Sequence, residues 1–305
     1  IQTVIQQMEQ LKLIQHLMPH TTEYRIGERQ IYNNVFHPTT RPDFMYTKLV
    51  SEFPDGNLEE SYVFGSGEDS SEVNVFSFDD NIKTLYHITP PEFKFAEEVY
   101  ELLDDAKRIM SEHKPGREEF VDPQRMREVF FNIGKDLITD LMQRKKMDLS
   151  EEKVEELSRA LLRYTVGFGL VELLLSDPKV QDVNINSPNG ELPIFIVHQD
   201  YGDCYTNIYP THQEVDSWAT KLRLISGRPL DEANPILDTE LKVEGFSSRV
   251  STLAAPLSPL GLAFSFRRHR DYPWTFPLYM QNKIKYMNTL AAGLISFIID
   301  GNATI

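Results

Sequence analysis

Three groups of side chains have the types and spacing to do chemistry. The first is cationic: Arg249 in Arg-Val-Ser, the run Arg267-Arg268-His269-Arg270, and Arg228 between Gly227 and Pro229. A guanidinium is a planar fork of N–H donors that matches the oxygens of a carboxylate or phosphate in pairs. Strand alternation over 264–269 places Phe264 and Phe266 on one face and Ser265, Arg267 and His269 on the other. Arg268 then points with the phenylalanines or lies past the strand end, so it ranks below Arg267. Taken alone, these arginines read as a solvated strand face or as ion pairs to some of the 46 acidic residues. Arg228 is explained equally well as part of a helix-stop turn. The second group is Asp231, Glu232 and Asp238, whose irregular spacing makes no ligand cage and reads as turn and surface. The third is His198 with Cys204, a base and a nucleophile by type. No oxyanion donor or orienting group is legible near them, which favours a half-buried structural role.

The elements that must position these residues are legible from period and caps. Ser61 to Phe64 and Val73 to Tyr86 carry strand-like aromatic and β-branched content around a Gly/Ser-rich acidic loop. From Phe95 the period turns helical, with Val99, Leu102, Leu103, Ala106 and Met110 on one stripe. A second helix starts at Asp122-Pro123 and buries Met126, Val129, Phe130, Ile133, Leu137 and Leu141. A third follows Ser150, with Val154, Leu157, Leu161 and Tyr164 inward. Strands are expected at Val180 to Asn186, Ile194 to His198 and Cys204 to Tyr209. Thr211 and Glu214 then form a capping box for a helix with Val215, Trp218, Ala219, Leu222 and Ile225 inward, stopped by Gly227 and Pro229. Strands resume at Leu237 to Val243, Arg249 to Leu253 and Leu262 to Arg268. The Pro-rich stretch 272–277 reads as a linker. A last helix with Ile284, Met287, Ala291, Leu294 and Ile298 on its inner face leads into a strand at Ala303-Thr304-Ile305. The class is α+β. Four segments are expected: 1–94 with β structure, 95–178 helical, 179–271 α+β, and 272–305 as linker and the start of another domain.

Composition narrows the class of function. The chain has 305 residues and a formal charge of −15, with 41% hydrophobic and 25% charged residues, as in ordinary globular proteins. That charge opposes nucleic-acid binding by counterion release, although a local basic patch still allows it, and it favours protein partners or a small anionic ligand. A single cysteine, Cys204, excludes an intramolecular disulfide and points to a reducing compartment. The longest apolar stretches, 166–175 and 290–299, are about half the ~20 residues a transmembrane helix needs, so none is expected. The start, Ile1-Gln2-Thr3, has neither an initiator Met nor a signal-peptide pattern, and the chain reads as cut at both ends.

Several ordered motifs carry a resemblance. They are Tyr164-Thr165-Val166-Gly167-Phe168-Gly169-Leu170-Val171, the stretch 198–208 with His198-Gln199-Asp200-Tyr201-Gly202-Asp203, the stretch 226–240, Ser248-Arg249-Val250-Ser251, Phe264-Ser265-Phe266-Arg267-Arg268-His269, and Gly301-Asn302-Ala303-Thr304-Ile305. Over about 95–305 the chain resembles the N-terminal region of type II/IV secretion-system ATPases, closest to the GspE-like archaeal branch that drives pilus and archaellum assembly. The resemblance implies a PAS-like α+β domain facing a RecA-like motor whose phosphate loop would follow Ile305. The pattern G-x-x-x-x-G-K-[ST] is absent from the chain itself, so this piece alone is expected not to hydrolyse ATP. ATP and Mg²⁺ would be held mainly by the motor. Arg249 and Arg267 match the phosphate-facing positions, with Arg228 and Arg268 behind them. A homohexamer in the cytoplasm, peripheral to the membrane and pushing on a membrane-embedded platform protein, is implied, with no specific nucleic acid. The alternatives are a PAS-like binding or adaptor module working without ATP, and an accessory of a nucleic-acid-transfer motor.

Overall fold

The computed structural model describes residues 48–50, 52–65, 67–79, 81–112, 123–243, 245–270, 274–281 and 284–301. The expected helix start at Asp122 and the strand at 303–305 lie outside the described residues. Among the described residues, eleven strands and seven helices give a mixed α+β fold, as the sequence pattern implies. They are β1 (Lys48–Leu49), β2 (Asn57–Phe64), β3 (Ser71–Phe78), β4 (Asn81–Thr89), α1 (Glu97–Glu112), α2 (Pro123–Lys145), α3 (Glu151–Thr165) and α4 (Leu170–Ser176). Next come β5 (Val180–Ile185), β6 (Phe195–His198), β7 (Gly202–Thr206), β8 (Ile208–Tyr209), α5 (His212–Ser226), β9 (Ile236–Val243), β10 (Phe246–Leu253), β11 (Ala263–Arg268), α6 (Phe276–Met280) and α7 (Thr289–Asp300).

Nine strands form one sheet in the order β2-β3-β4-β7-β6-β5-β11-β10-β9, and β1 pairs with β8 separately. All neighbours in the large sheet are antiparallel except β4 and β7. The β-containing N-terminal segment and the 179–271 segment are thus hydrogen-bonded into a single sheet through that parallel pair. Among the described residues, those up to Arg268 group as one compact unit and those from His269 onward as a second.

Val73 to Tyr86 is a hairpin of two strands rather than one long strand. The chain reverses between Phe78 and Asn81, which are Cα partners, and Asp79 between them is a turn former by type. Helices α1, α2 and α3 pack on one another. Val99, Leu102, Leu103, Ala106 and Met110 of α1 are all buried, as their spacing predicts. Ser150 caps α3 by accepting from Lys153 N–H at 3.2 Å. Thr211 and Glu214 form the full capping box of α5, and Gly227 closes that helix in the left-handed region at φ 65°.

The short helix α4 lies on β5 and β10, and α5 lies on β9. Their side of the sheet is apolar: Phe168 meets Phe266 edge-on at 6.2 Å, and Trp218 meets Phe264 edge-on at 6.2 Å. Alternation therefore turns Ser265 and Arg267 to the uncovered face, while Phe264 and Phe266 are buried. Strand β5 departs from strict alternation. A bulge between Val180 and Asp182 lets both Val180 and Val183 point into the core.

In the second unit, α7 starts at Asn288, which accepts from Ala291 N–H at 2.8 Å. Ile284 and Met287 therefore precede the helix, and Leu294, expected inward, is 59% exposed. Pro277 opens α6 inside the stretch read as a linker.

Candidate functional site

The uncovered face of β9, β10, β11, β5 and β6 is a grid of side chains set by strand register. One row of directly opposed residues runs Glu240, Arg249, Arg267, Asp182 and Val197. The next, about 7 Å along the strands, runs Asp238, Ser251, Ser265, Asn184 and Phe195. Arg249 and Arg267, 18 positions apart in sequence, thus become Cα partners on adjacent strands. Like charges directly opposed destabilise a sheet. Here an acid flanks the pair on either side.

Arg267 donates from Nε to Asp182 Oδ1 at 2.8 Å, and that carboxylate raises its pKa further above the usual range. The Arg267 side chain is nevertheless 75% exposed. Arg249 is exposed, with no ion-pair partner among the described residues. In the second row Ser265 Oγ donates to Asn184 Oδ1 at 2.8 Å. At the second row opens a hollow of about 400 Å³, lined among others by Asn184, Asn186, Phe195, Ser251 and Leu253; no residue of the arginine row lines it. Two forked cations, amides, hydroxyls and one aromatic ring thus share a face that, among the described residues, no helix of the first unit covers.

The remaining candidates lie elsewhere. Arg268 turns to the helix side, where its Nε donates to Leu175 O at 2.9 Å at the end of α4. Arg228 lies beyond α5 and reaches Asp238 O at 3.3 Å, at the outer edge of β9. Neither joins the arginine row. Asp231 is a turn residue whose Oδ1 accepts from Asn234 Nδ2 at 3.1 Å, from Asn234 N–H at 2.8 Å and from Ala233 N–H at 3.0 Å, which holds its carboxyl below the usual range. Among the described residues no cluster of His, Cys, Asp and Glu could hold a metal ion.

His198 and Cys204 are not a catalytic pair, because His198 lies opposite Gly202 and Cys204 opposite Ile196. Burial pushes the Cys204 thiol up to about 11. His198 belongs to a buried network instead. Tyr62 and Tyr86 both donate to Asp177 Oδ2, at 2.6 and 2.8 Å, and Tyr62 Oη lies 3.1 Å from His198 Nε2. Asp200 N–H donates to His198 Nδ1 at 3.2 Å, so the ring proton sits on Nε2 and is given to Tyr62. Burial lowers the His198 pKa and raises those of both tyrosines. The network ties β2 and β4 to β6 and the end of α4.

A second, smaller cavity of about 100 Å³ lies against α5, with Lys107, Tyr164, Ser217 and Lys221 among its walls. Burial brings the Lys221 ammonium down to about 8, and it donates to Gly167 O.

Asp182, Asn184, Ser251 and Ser265 were not singled out by residue type. Alternation opposite Val183, Ile185, Phe264 and Val250 is the signal that places them on the arginine face.

The fold and face define a class: an α+β unit in which α4 and α5 cover one face of the β5-β11-β10-β9 part of the sheet, while among the described residues no helix of the first unit covers the other. No family model matches the chain. Among curated proteins it is similar to three uncharacterized proteins of Methanocaldococcus jannaschii. It is 26% identical to MJ1288 over 195 residues, covering 64% of this chain and 73% of that protein. It is 25% identical to MJ0900 over 297 residues, covering 88% of this chain and 49% of that protein. It is 32% identical to MJ0781 over 107 residues, covering 35% of this chain and 14% of that protein. The chain therefore spans half or less of the length of the latter two. Among solved structures it is similar to the VirB11 ATPase of the Brucella suis type IV secretion system in complex with sulphate. That likeness has 16% identity and a TM-score of 0.32, and it covers 45% of this chain and 42% of the other. No helix among the described residues is long and apolar enough to cross a membrane.

Proposed function

We propose that this chain is the nucleotide-facing N-terminal part of a homohexameric ATPase that powers protein secretion or the assembly of a pilus or archaellum. It would work in the cytoplasm against a membrane-embedded platform protein. The observation that carries this reading is the placement of Arg249 and Arg267 directly opposite each other on the uncovered face. Together with the resemblance of the surrounding motifs, it supports a role for both guanidiniums against the phosphates of ATP. Each fork offers paired donors to charge spread over the equatorial oxygens of a transferring phosphoryl group. The chain then acts as a moving lid: closure on a motor-bound nucleotide brings the arginines in, and hydrolysis and release let the cleft open. ATP and Mg²⁺ would both be held mainly by the motor, as the resemblance implies.

The test is ATP turnover by the full-length protein. Arg249→Ala and Arg267→Ala should each lower kcat by about a thousandfold or more, the range of arginine-finger losses, with an unchanged circular dichroism spectrum. Wild-type turnover in both variants would refute the phosphate clamp.

A further inference from the structure

Asp182 stands where it can set the geometry of Arg267. The two residues are Cα partners on β5 and β11, so backbone pairing fixes the separation of their side-chain roots. Asp182 Oδ1 takes the Arg267 Nε–H at 2.8 Å. The acid is only 18% exposed while the guanidinium is 75% exposed. The acid is therefore the seated partner, and the arginine head is the part that reaches out. Its other cross-strand neighbour, Val197 on β6, offers no side-chain donor that would compete. With Nε occupied, the edge left to a ligand is the Nη1–Nη2 pair, which fits two oxygens of one phosphate end-on. One row along, Ser265 and Asn184 repeat the same β11-to-β5 tie at 2.8 Å, which stiffens the two strands where the arginine is rooted.

We propose that Asp182 is a positioning residue, which holds the Arg267 guanidinium with its Nη1–Nη2 edge presented to the phosphate oxygens of the nucleotide. The inference rests on the phosphate-facing reading of Arg267 given above.

Two physical effects of Asp182 have opposite signs, and that makes the proposal testable. As a bare negative charge beside an anion it repels, so its removal would lower the KM for ATP. As an anchor it spares the long arginine side chain a search over rotamers, so its removal would lower kcat/KM. An exposed ion pair of this kind is worth up to about fivefold in an equilibrium constant. The experiment measures kcat and KM for ATP with the full-length protein carrying Asp182→Ala, Asp182→Asn, Arg267→Ala and the Asp182→Ala/Arg267→Ala pair. The expected result is a loss of about fivefold in kcat/KM for Asp182→Ala and a smaller loss for Asp182→Asn, whose amide oxygen still accepts from Nε. The double variant should show no loss beyond Arg267→Ala alone, because nothing is left to position. Asp182→Asn is isosteric and carries the comparison if Asp182→Ala fails to fold. Equal or higher kcat/KM in both Asp182 variants, with Arg267→Ala strongly impaired, overturns the positioning role and leaves the clamp standing. An equal loss from Asp182→Ala with and without Arg267 also overturns it, since the effect would then be structural. Wild-type kinetics in Arg267→Ala removes the clamp itself and the inference with it.

Discussion

Removing one hydroxyl at a time from the network of Tyr62, Tyr86, Asp177 and His198 separates two kinds of loss. Tyr86→Phe deletes a single donor to the buried Asp177 carboxylate, a bond of 2.8 Å. Asp177 keeps Tyr62 at 2.6 Å and the Lys179 N–H at 2.8 Å. A hydrogen bond to a charged group contributes about 1.5–3 kcal/mol, so Tyr86→Phe should cost about 2 kcal/mol. Tyr62→Phe deletes an equivalent donor and also the acceptor of the His198 Nε2–H. His198 is 1% exposed, so water does not reach its orphaned N–H, and that adds about 1–3 kcal/mol. The expected total is about 3–5 kcal/mol. Phenylalanine keeps the ring beneath the Lys179 ammonium, which lies 4.4 Å from its centroid, so packing is conserved and the hydroxyl alone is tested. Urea unfolding of the 305-residue chain, followed by circular dichroism, reads both variants, and at equal m-values the midpoint shifts are in the ratio of the two costs. Tyr62→Phe should move the midpoint about twice as far. Equal shifts, or a larger one for Tyr86→Phe, would refute the proton order drawn from Asp200 through His198 and Tyr62 to Asp177.

The same network sets a pH dependence. The folded-state pKa of His198 is lowered from 6.5 by burial, so the unfolded chain takes up the proton first, and this site's contribution to stability is lost as pH falls below 6.5. An NMR titration of His198 with its midpoint at or above 6.5 would contradict this. Thr211→Ala removes the hydroxyl that accepts from Glu214 N–H at the start of α5 and should cost about 1 kcal/mol by urea unfolding, with no change counting against the capping box. Arg268→Ala breaks the contact with Leu175 O on the helix side, so it should lower the unfolding midpoint and leave ATP turnover within about twofold of wild type. A turnover loss as large as that of Arg267→Ala would place Arg268 in the clamp after all.

Local chemistry made much of this fold readable. Caps at Ser150, Thr211 and Gly227 act within a turn or two of the chain, so their residue types announce the helix ends without tertiary help. The stripe from Val99 to Met110 and the alternation from Phe264 to Arg267 likewise depend only on the period of the element. They placed Arg267 on a polar strand face before any partner was known. Where local signals compete, the reading slipped. Residues 73–86 are β-forming almost throughout, and the antiparallel pairing from Glu72 with Thr89 to Phe78 with Asn81 shows that the chain reverses. The bulge after Val180 hides that Val180 shares the core side with Val183, because it exists only against β6.

By itself, then, the sequence determines the helices, the strand faces and the arginines available to a phosphate. Tertiary structure decides which of those arginines meet. Arg249 lies opposite Arg267 and Asp182 beside it because β5, β11 and β10 are neighbours in that order, and Asp182 and Arg267 are 85 residues apart in the chain. Burial of Val183, Val250, Phe264 and Phe266 against α4 and α5 is what fixes that register. A slip of one residue would turn each of these apolar side chains to water and the arginines into the core.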